Sequence, residues 1–295
     1  MRILILGGDG MLGHQLLKHF QKNNEVKVTL RKPLASYTEF KLFSKENTFE
    51  NIEAANFLEL EKRIKEWRPE AILNAVGIVK QRPTAHDIIP SLEINSLLPH
   101  KLSVFSRDIG ARLVHMSTDC VFSGKKGNYT EKDPSDAEDI YGKTKFLGEV
   151  HESGITLRTS IIGLELSRKT GLIEWFLAQK GSIRGFTKAI YTGFTTQEMS
   201  RIIESLLVDY PKLSGVWQVA SGPINKFELL KLFALKLEQQ GIKQDIKIEA
   251  FNEFVCDRSL SQGAFEEATG YVAPSWESML EELAIEVRER RGMWS

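Results

Sequence analysis

The chain has 295 residues, 42% of them hydrophobic and 26% charged, with 39 Lys and Arg balanced by 39 Asp and Glu. A zero net charge argues against a nucleic-acid binder, which carries a basic excess, and leaves only local patches to attract charged ligands. Two cysteines, Cys120 and Cys256, are too few for a disulfide framework, and no apolar run reaches the roughly 18–20 residues of a membrane span. Met1 leads at once into a strand-like run, Arg2 to Leu6, with no signal peptide, so the expected compartment is the cytoplasm.

That strand ends in Gly7-Gly8-Asp9-Gly10, and Met11-Leu12-Gly13 opens a helical pattern. Strand, glycine turn and helix start form the context in which backbone N–H groups hold a phosphate. The spacing Gly7-x-x-Gly10-x-x-Gly13 departs from G-x-G-x-x-G. Gly7 and Gly10 would still allow the tight turn and the close approach of a pyrophosphate, and Gly13 would let helix pack on strand. A second strand, 25–30, ends in Arg31-Lys32 with no acid beside it. In a dinucleotide fold this position meets the adenosine ribose, so a 2′-phosphate, and hence NADPH, is expected over NADH. A solvated basic loop is the plainer alternative.

Residues 58–67 form an amphipathic helix, 71–76 a buried strand, and 90–105 a helix with Ile94, Leu97, Leu98 and Leu102 on one face. Strand 112–116 runs into Ser117-Thr118-Asp119-Cys120, and a polar loop leads to Tyr141-Gly142-Lys143-Thr144-Lys145. On a helix Tyr141 and Lys145 share a face, and a nearby ammonium should pull the phenol below its ordinary value of about 10. Such a phenol could exchange a proton near neutral pH. A Tyr-x-x-x-Lys pair arises by chance on many helices; the glycine turn and Ser117-Thr118-Asp119 give this one its weight. If Thr118 and Cys120 share a strand, both side chains point to one face.

Residues 155–162 form the next strand, and the alternation of strand and helix predicts an α/β chain with a doubly wound parallel sheet of the Rossmann type. Ligands then sit beyond the carboxyl ends of the strands. After Gly163 the rhythm breaks. Helices are expected at 171–179, 195–208, 227–240 and 276–290, and strands at 182–186, 215–220 and 245–251. A Rossmann domain over 1–163 and 189–220 is expected, with a smaller α/β substrate domain over 164–188 and 221–295. The run Arg288–Arg291 reads as a solvated helix end. Six scattered histidines predict no metal site, and His115, in an apolar strand, reads as a core residue.

The glycine turn, Ser117-Thr118-Asp119 with Val121-Phe122, and Tyr141-x-x-x-Lys145 together resemble the extended short-chain dehydrogenases/reductases. Within them the chain is similar to the dTDP-4-dehydrorhamnose reductase group of nucleotide-sugar 4-ketoreductases. Ile72-Leu73-Asn74-Ala75, Asn95, Leu157-Arg158-Thr159-Ser160, Asp257-Arg258-Ser259-Leu260-Ser261 and Pro274-Ser275-Trp276 extend that likeness over nearly the whole chain. The resemblance implies that Tyr141 protonates the sugar C4 oxygen, that Lys145 bonds the nicotinamide ribose, and that Thr118 orients the same oxygen. Gly7, Gly10, Met11, Leu12, Gly13, Arg31, Lys32, Asn56, Phe57, Asn74, Ala75 and Val76 would hold NADPH, with Tyr141 and Lys145. Thr118, Asp119, Cys120, Arg258 and Ser261 would face the substrate, Arg258 as a fork for a diphosphate. Asn95 would brace the site.

Three departures bear on the substrate. Asn56 stands where the family has an acid, Cys120 where it commonly has an aromatic, and residues 78–83, expected to border the sugar, lack the usual small residues and tyrosine. A UDP-linked N-acetylated sugar therefore competes with rhamnose. An epimerase/reductase using Cys120 and a non-catalytic dinucleotide-binding regulatory protein are the other functions considered. Expected partners are a nucleotide-sugar substrate and, as one assembly, a homodimer, without nucleic acid or membrane.

Overall fold

Short apolar runs become buried strands and amphipathic stretches become the helices that cover them. The computed structural model describes residues 1–80 and 87–293. Its first half runs β1 (Arg2–Leu6), α1 (Met11–Phe20), β2 (Glu25–Thr29), β3 (Thr48–Phe49), α2 (Phe57–Trp67), β4 (Ala71–Asn74), α3 (Ile88–Ser91), α4 (Leu98–Ile109), β5 (Arg112–Met116), α5 (Ile140–Leu147) and β6 (Ile155–Arg158). The second half runs β7 (Ile161–Ile162), α6 (Leu172–Ala178), β8 (Gly181–Tyr191), β9 (Phe194–Thr195), α7 (Thr196–Val208), β10 (Gly215–Gln218), β11 (Ile224–Asn225), α8 (Lys226–Gln239), β12 (Ile246–Asp257), α9 (Gly263–Thr269) and α10 (Trp276–Met293).

Seven strands form one parallel sheet in the order β10-β6-β5-β4-β1-β2-β3. Both faces are covered, as a parallel sheet requires. Because side chains alternate along a strand, Ile3 and Ile5 of β1 join Leu12, Leu16 and Leu17 of α1, while Leu4 and Leu6 join Leu60 of α2 and Leu98 and Leu102 of α4. The first of these cores continues through Phe176 and Phe233 to Leu283 and Val287, tying the two halves of the chain together. A smaller sheet, β11-β8-β12, lies in the second half. Among the described residues no helix is long and apolar enough to cross a membrane.

The doubly wound sheet is as expected, with several local corrections. The strand expected over 155–162 is two: β6 stops at Arg158, and Ile161–Ile162 leave the main sheet to pair with β9. The strands expected at 182–186 and 245–251 lengthen to 11 and 12 residues, because they pair with each other from Gly181↔Ile246 onward, a long-range support that local pattern does not reveal. The helix expected at 90–105 starts at Ile88 and is wound as a wider π-type turn over Leu92–Leu97. The extra residue per turn rotates the later part of the helix, so Leu97 is 51% exposed while Leu98 and Leu102 are buried. Arg290 is not a solvated end: its guanidinium binds the Glu174 carboxylate and the Glu165 carbonyl. Arg288 and Arg291 remain exposed, as a solvated helix end requires, with Arg288 donating to Gln240 Oε1 at 2.7 Å.

Gly13 is where the first helix meets the first strand. A Cβ there would lie 2.0 Å from the Gly7 carbonyl oxygen, which is backbone and has nowhere to retreat. Gly13→Ala is expected to destabilise the protein by about 1–3 kcal/mol, as overpacking does. Thermal denaturation should show a fall of several degrees, at about 2–4 °C per kcal/mol; an unchanged melting curve would mean that the turn relaxes freely.

Candidate active site

The carboxyl ends of β1, β4 and β5 bring the sequence motifs together. After β1 the turn is strapped to β2: Gly7 N–H donates to Thr29 Oγ1 and Gly8 N–H to Thr29 O, both at 3.0 Å. Gly10 caps α1 without a side-chain hydrogen bond, and the first turn of that helix carries no acid. With Gly7, Gly8 and Gly10 leaving the turn bare of side chains apart from Asp9, the leading N–H groups of the helix make a cradle suited to a phosphate. His14 Nδ1 lies 2.9 Å from Gly10 O, so it is the donor there. Burial lowers the His14 pKa to about 4, which leaves this imidazole neutral. Ala75 and Val76 adjoin Gly7, and Asn74 Oδ1 accepts from Val76 N–H at 3.3 Å while its Nδ2 lies 3.0 Å from His115 Nδ1.

Arg31 and Lys32 follow β2 as exposed cations. Asn56 is occupied at the start of α2, its Oδ1 accepting from Glu59 N–H at 3.4 Å, and Phe57 packs edge-on against Phe105 at 6.2 Å. Met11 and Leu12 lie in the first turn of α1, Leu12 buried.

The strand β5 ends at Met116, and Thr118 caps a short 3₁₀ turn over Asp119–Val121, accepting from Cys120 N–H at 3.1 Å. Thr118 and Cys120 are therefore not alternate residues of one strand, and strand parity says nothing of the thiol. The α5 helix is brought against this turn because Asp139 caps it, accepting from Gly142 N–H at 2.8 Å, and because Gly142 has no Cβ: one would meet Cys120 O at 2.2 Å. Tyr141 thus stands against Thr118, which hydrogen-bonds its phenol. Asn95, presented by the π-type turn, accepts from Ile78 N–H at 2.9 Å and donates to Ile78 O at 3.1 Å and Thr144 Oγ1 at 3.2 Å. It braces α5 as expected of it.

The electrostatics correct one expectation. Burial pushes the Tyr141 phenol above its ordinary value, with Cys120 adding to the rise and the Thr118 hydrogen bond opposing it. Lys145 turns its Nζ to Met116 O at 2.5 Å, so its charge is not spent on the tyrosine. Burial lowers the Lys145 pKa to about 8 against the attraction of Glu149. The phenol is held neutral and loaded with its proton. Burial, then Asp119, drives the Cys120 thiol up to about 12, so it is no ready thiolate.

Beside Tyr141 a pocket of about 290 Å³ is lined by Cys120, Phe122, Ser123, Ala137, Glu138, Asp139 and Arg258. Arg258 is drawn there by the second half of the chain, its Nε donating to Phe122 O at 2.8 Å. Burial raises the Asp119 carboxyl, and Arg258 opposes the rise. Ser261 lies outside that lining, its N–H donating to Tyr129 O at 2.7 Å. Lys80 reaches the same region, pairing with Asp139 at 2.5 Å. Of the segment expected to border the sugar, residues 81–83 lie outside the described residues, as does His86. Asp139, Glu149 and the pairing of Lys80, itself within the segment expected to border the sugar, escape sequence reasoning. Asp139 has a signal, a capping residue just before the Tyr141 helix; Lys80 has none, since its partner is 59 positions away.

The chain is similar to known proteins. The β subunit of methionine adenosyltransferase 2 from Rattus norvegicus is 30% identical over 152 residues, 50% of this chain and 41% of that one. A dTDP-4-dehydrorhamnose reductase from Aggregatibacter actinomycetemcomitans is 24% identical over 257 residues, 83% of this chain and 81% of the relative. The match spans less than half the length of the first curated relatives. Among solved structures, a dTDP-4-dehydrorhamnose reductase from Bacillus anthracis in complex with NADP superposes with a TM-score of 0.77 at 22% identity, covering 97% of this chain and 99% of that one, a likeness of fold. Residues 1–162, which carry the glycine turn, Thr118, Tyr141 and Lys145, match the family described as the RmlD substrate binding domain, and the chain belongs to that family.

Proposed function

We propose that this chain is an NADPH-dependent reductase of the 4-keto group of a nucleotide-activated 6-deoxy sugar, serving surface polysaccharide biosynthesis. The observation that carries this is the meeting of Thr118, Tyr141 and Lys145 at the carboxyl edge of the sheet, beside a glycine turn open to a phosphate. The substrate is dTDP-4-dehydrorhamnose or a UDP-linked 2-acetamido-4-keto analogue. Residues 1–163 and 189–220 form the cofactor side, and 164–188 and 221–295 the substrate side.

The cradle suits a dinucleotide: Gly10 brings no Cβ to the turn, and Gly13, where a Cβ would lie 2.0 Å from the Gly7 carbonyl oxygen, lets the helix start press close to the strand end. Gly7, Gly10, Met11, Leu12 and Gly13 would take the pyrophosphate, Arg31 and Lys32 the 2′-phosphate, and Asn56, Phe57, Asn74, Ala75 and Val76 the adenine and groove. When bound, NADPH supplies a hydride. The residues here manage the proton. Tyr141, kept neutral by burial, donates to the developing C4 alkoxide; Thr118 holds that oxygen; Lys145, with two N–H bonds beyond the one to Met116 O, binds the ribose. Arg258 takes the diphosphate. Asp119 and Cys120 border the sugar, with Ser261 behind them.

Tyr141→Phe should leave a folded protein that still binds NADPH but loses about 10²–10⁴ in kcat; retention of more than about a tenth would mean that another group is the acid. Arg31→Ala should lose most of a tenfold or larger preference for NADPH over NADH, since a charge-assisted bond to phosphate contributes about 1.5–3 kcal/mol. Equal binding of both cofactors by the unaltered protein in a titration would overturn the 2′-phosphate assignment.

A second function, epimerisation before reduction, depends on Cys120, which lines the pocket but is held as a thiol. Incubating the enzyme with 4-keto sugar nucleotide and oxidised cofactor in D2O should give no exchange beside the ketone above the buffer rate. Deuterium uptake that vanishes in Cys120→Ser would make the enzyme an epimerase/reductase.

A further inference from the structure

Glu149 is a buried carboxylate that no step of the proposed reaction uses. It lies four residues beyond Lys145, just past the end of α5, and is 2% exposed. Ser117 Oγ donates to its Oε1 at 2.7 Å, and Arg158 grips it with both arms, Nε to Oε1 and Nη2 to Oε2, each at 2.8 Å. Arg158 is equally buried on β6, and its guanidinium lies over the Phe122 ring at 5.3 Å. Ser117 is the residue before Thr118, its own N–H bonded to Leu157 O at 2.8 Å. The carboxylate thus touches the end of β5, β6 and the helix that carries the tyrosine and lysine. A buried ion pair adds little net stability over well-packed apolar side chains, so this geometry asks for another role. Lys145 supplies one. An ammonium enclosed with, among the described residues, a single carbonyl partner needs a counter-charge.

We propose that Glu149 is a positioning residue for the active site: clamped by Arg158 and by Ser117, the neighbour of the Met116 whose carbonyl holds Lys145, its carboxylate serves as the counter-charge of Lys145 and fixes the Ser117–Thr118 turn beyond β5 beside Tyr141. This rests on the role of Lys145 in the proposed reductase. Lys145 acts on His115 of β5, which burial and then Lys145 itself keep neutral; Tyr141, four residues earlier on the same helix, is a neutral phenol, and Arg158 on β6 pairs with Glu149. Glu149 is the group that favours the charged form against burial, which holds the Lys145 pKa to about 8. Lys145 is therefore cationic below that value, and removing the carboxylate moves the crossover to lower pH.

Two variants and two readouts test this. Glu149→Gln keeps the shape but strands the Arg158 charge, so its melting temperature should fall. The double variant Glu149→Gln with Arg158→Met removes both charges and should recover much of that loss. Lys145 ionisation is read from the protein labelled with ¹³C at the lysine ε-carbons, the resonance assigned by its loss in Lys145→Arg. In Glu149→Gln the Lys145 midpoint should fall, because an opposite charge is lost and the Arg158 cation is left bare; in the double variant, which removes that cation too, it should fall by less but stay below the parent midpoint. The alkaline limb of the reductase pH profile should fall with it. A double variant that melts like the parent and titrates Lys145 at the parent midpoint would overturn the proposal, leaving Glu149 as a fold element only. If no 4-keto sugar nucleotide is turned over by the parent protein, the reductase assignment fails, while the Lys145 midpoint still decides the role of Glu149.

Discussion

Parallel pairing is the constraint on which the rest of this molecule depends. A parallel strand must be re-entered from the same end, so each link to the next strand crosses a face and each strand's exit turn emerges at one edge. Seven strands paired in this way collect at that edge the turns after β1, β4 and β5. Residues 7 to 13, 74 to 76 and 117 to 122 meet there although more than a hundred positions separate the first from the last. Covering both faces also makes the sheet strongly apolar, and few polar side chains, among them His115 and Thr156, are buried within its strands.

At that edge the polar groups are buried and matched to one another. Asn95 satisfies both backbone groups of Ile78 and the Thr144 hydroxyl, while Ser96 donates to Thr144 O at 2.8 Å. The helix bearing Tyr141 is thereby held from two sides, by Asp139 at its start and by Asn95 and Ser96 along its flank. Burial acts in opposite directions on the tyrosine and the lysine, raising the first and lowering the second toward neutrality. Environments that favour the uncharged form of each member suit a site that stores a proton until charge arrives.

The motifs are legible wherever chemistry and local pattern coincide. Period and punctuation alone place the glycine turn, the run from Ser117 and the Tyr141–Lys145 pair on strand ends and a helix. The features that escape local pattern depend on partners distant in sequence. Helical spacing puts Lys145 beside Tyr141, but the Met116 carbonyl takes the ammonium. The long β8–β12 pairing joins segments 65 residues apart in sequence, neither of which alternates cleanly. The π-type turn that presents Asn95 has no signature in a 3.6-residue period, which is why that period puts Leu97 on the wrong face. Arg290 reads as solvated from its neighbours because Glu174 lies 116 residues earlier.

The outermost strand of the main sheet comes from late in the chain. β10 closes the β6 edge, with Val216 opposite Thr156 and Gln218 opposite Arg158, yet it lies more than fifty residues beyond the segment that matches the family. A fragment cut at residue 162 would leave β6 with its hydrogen-bonding groups bare, an open edge of the kind that invites aggregation. The later half of the chain therefore cannot be exchanged between relatives as a cassette with a single junction. A working chimera needs two crossings, so that β10 travels with the sheet it completes.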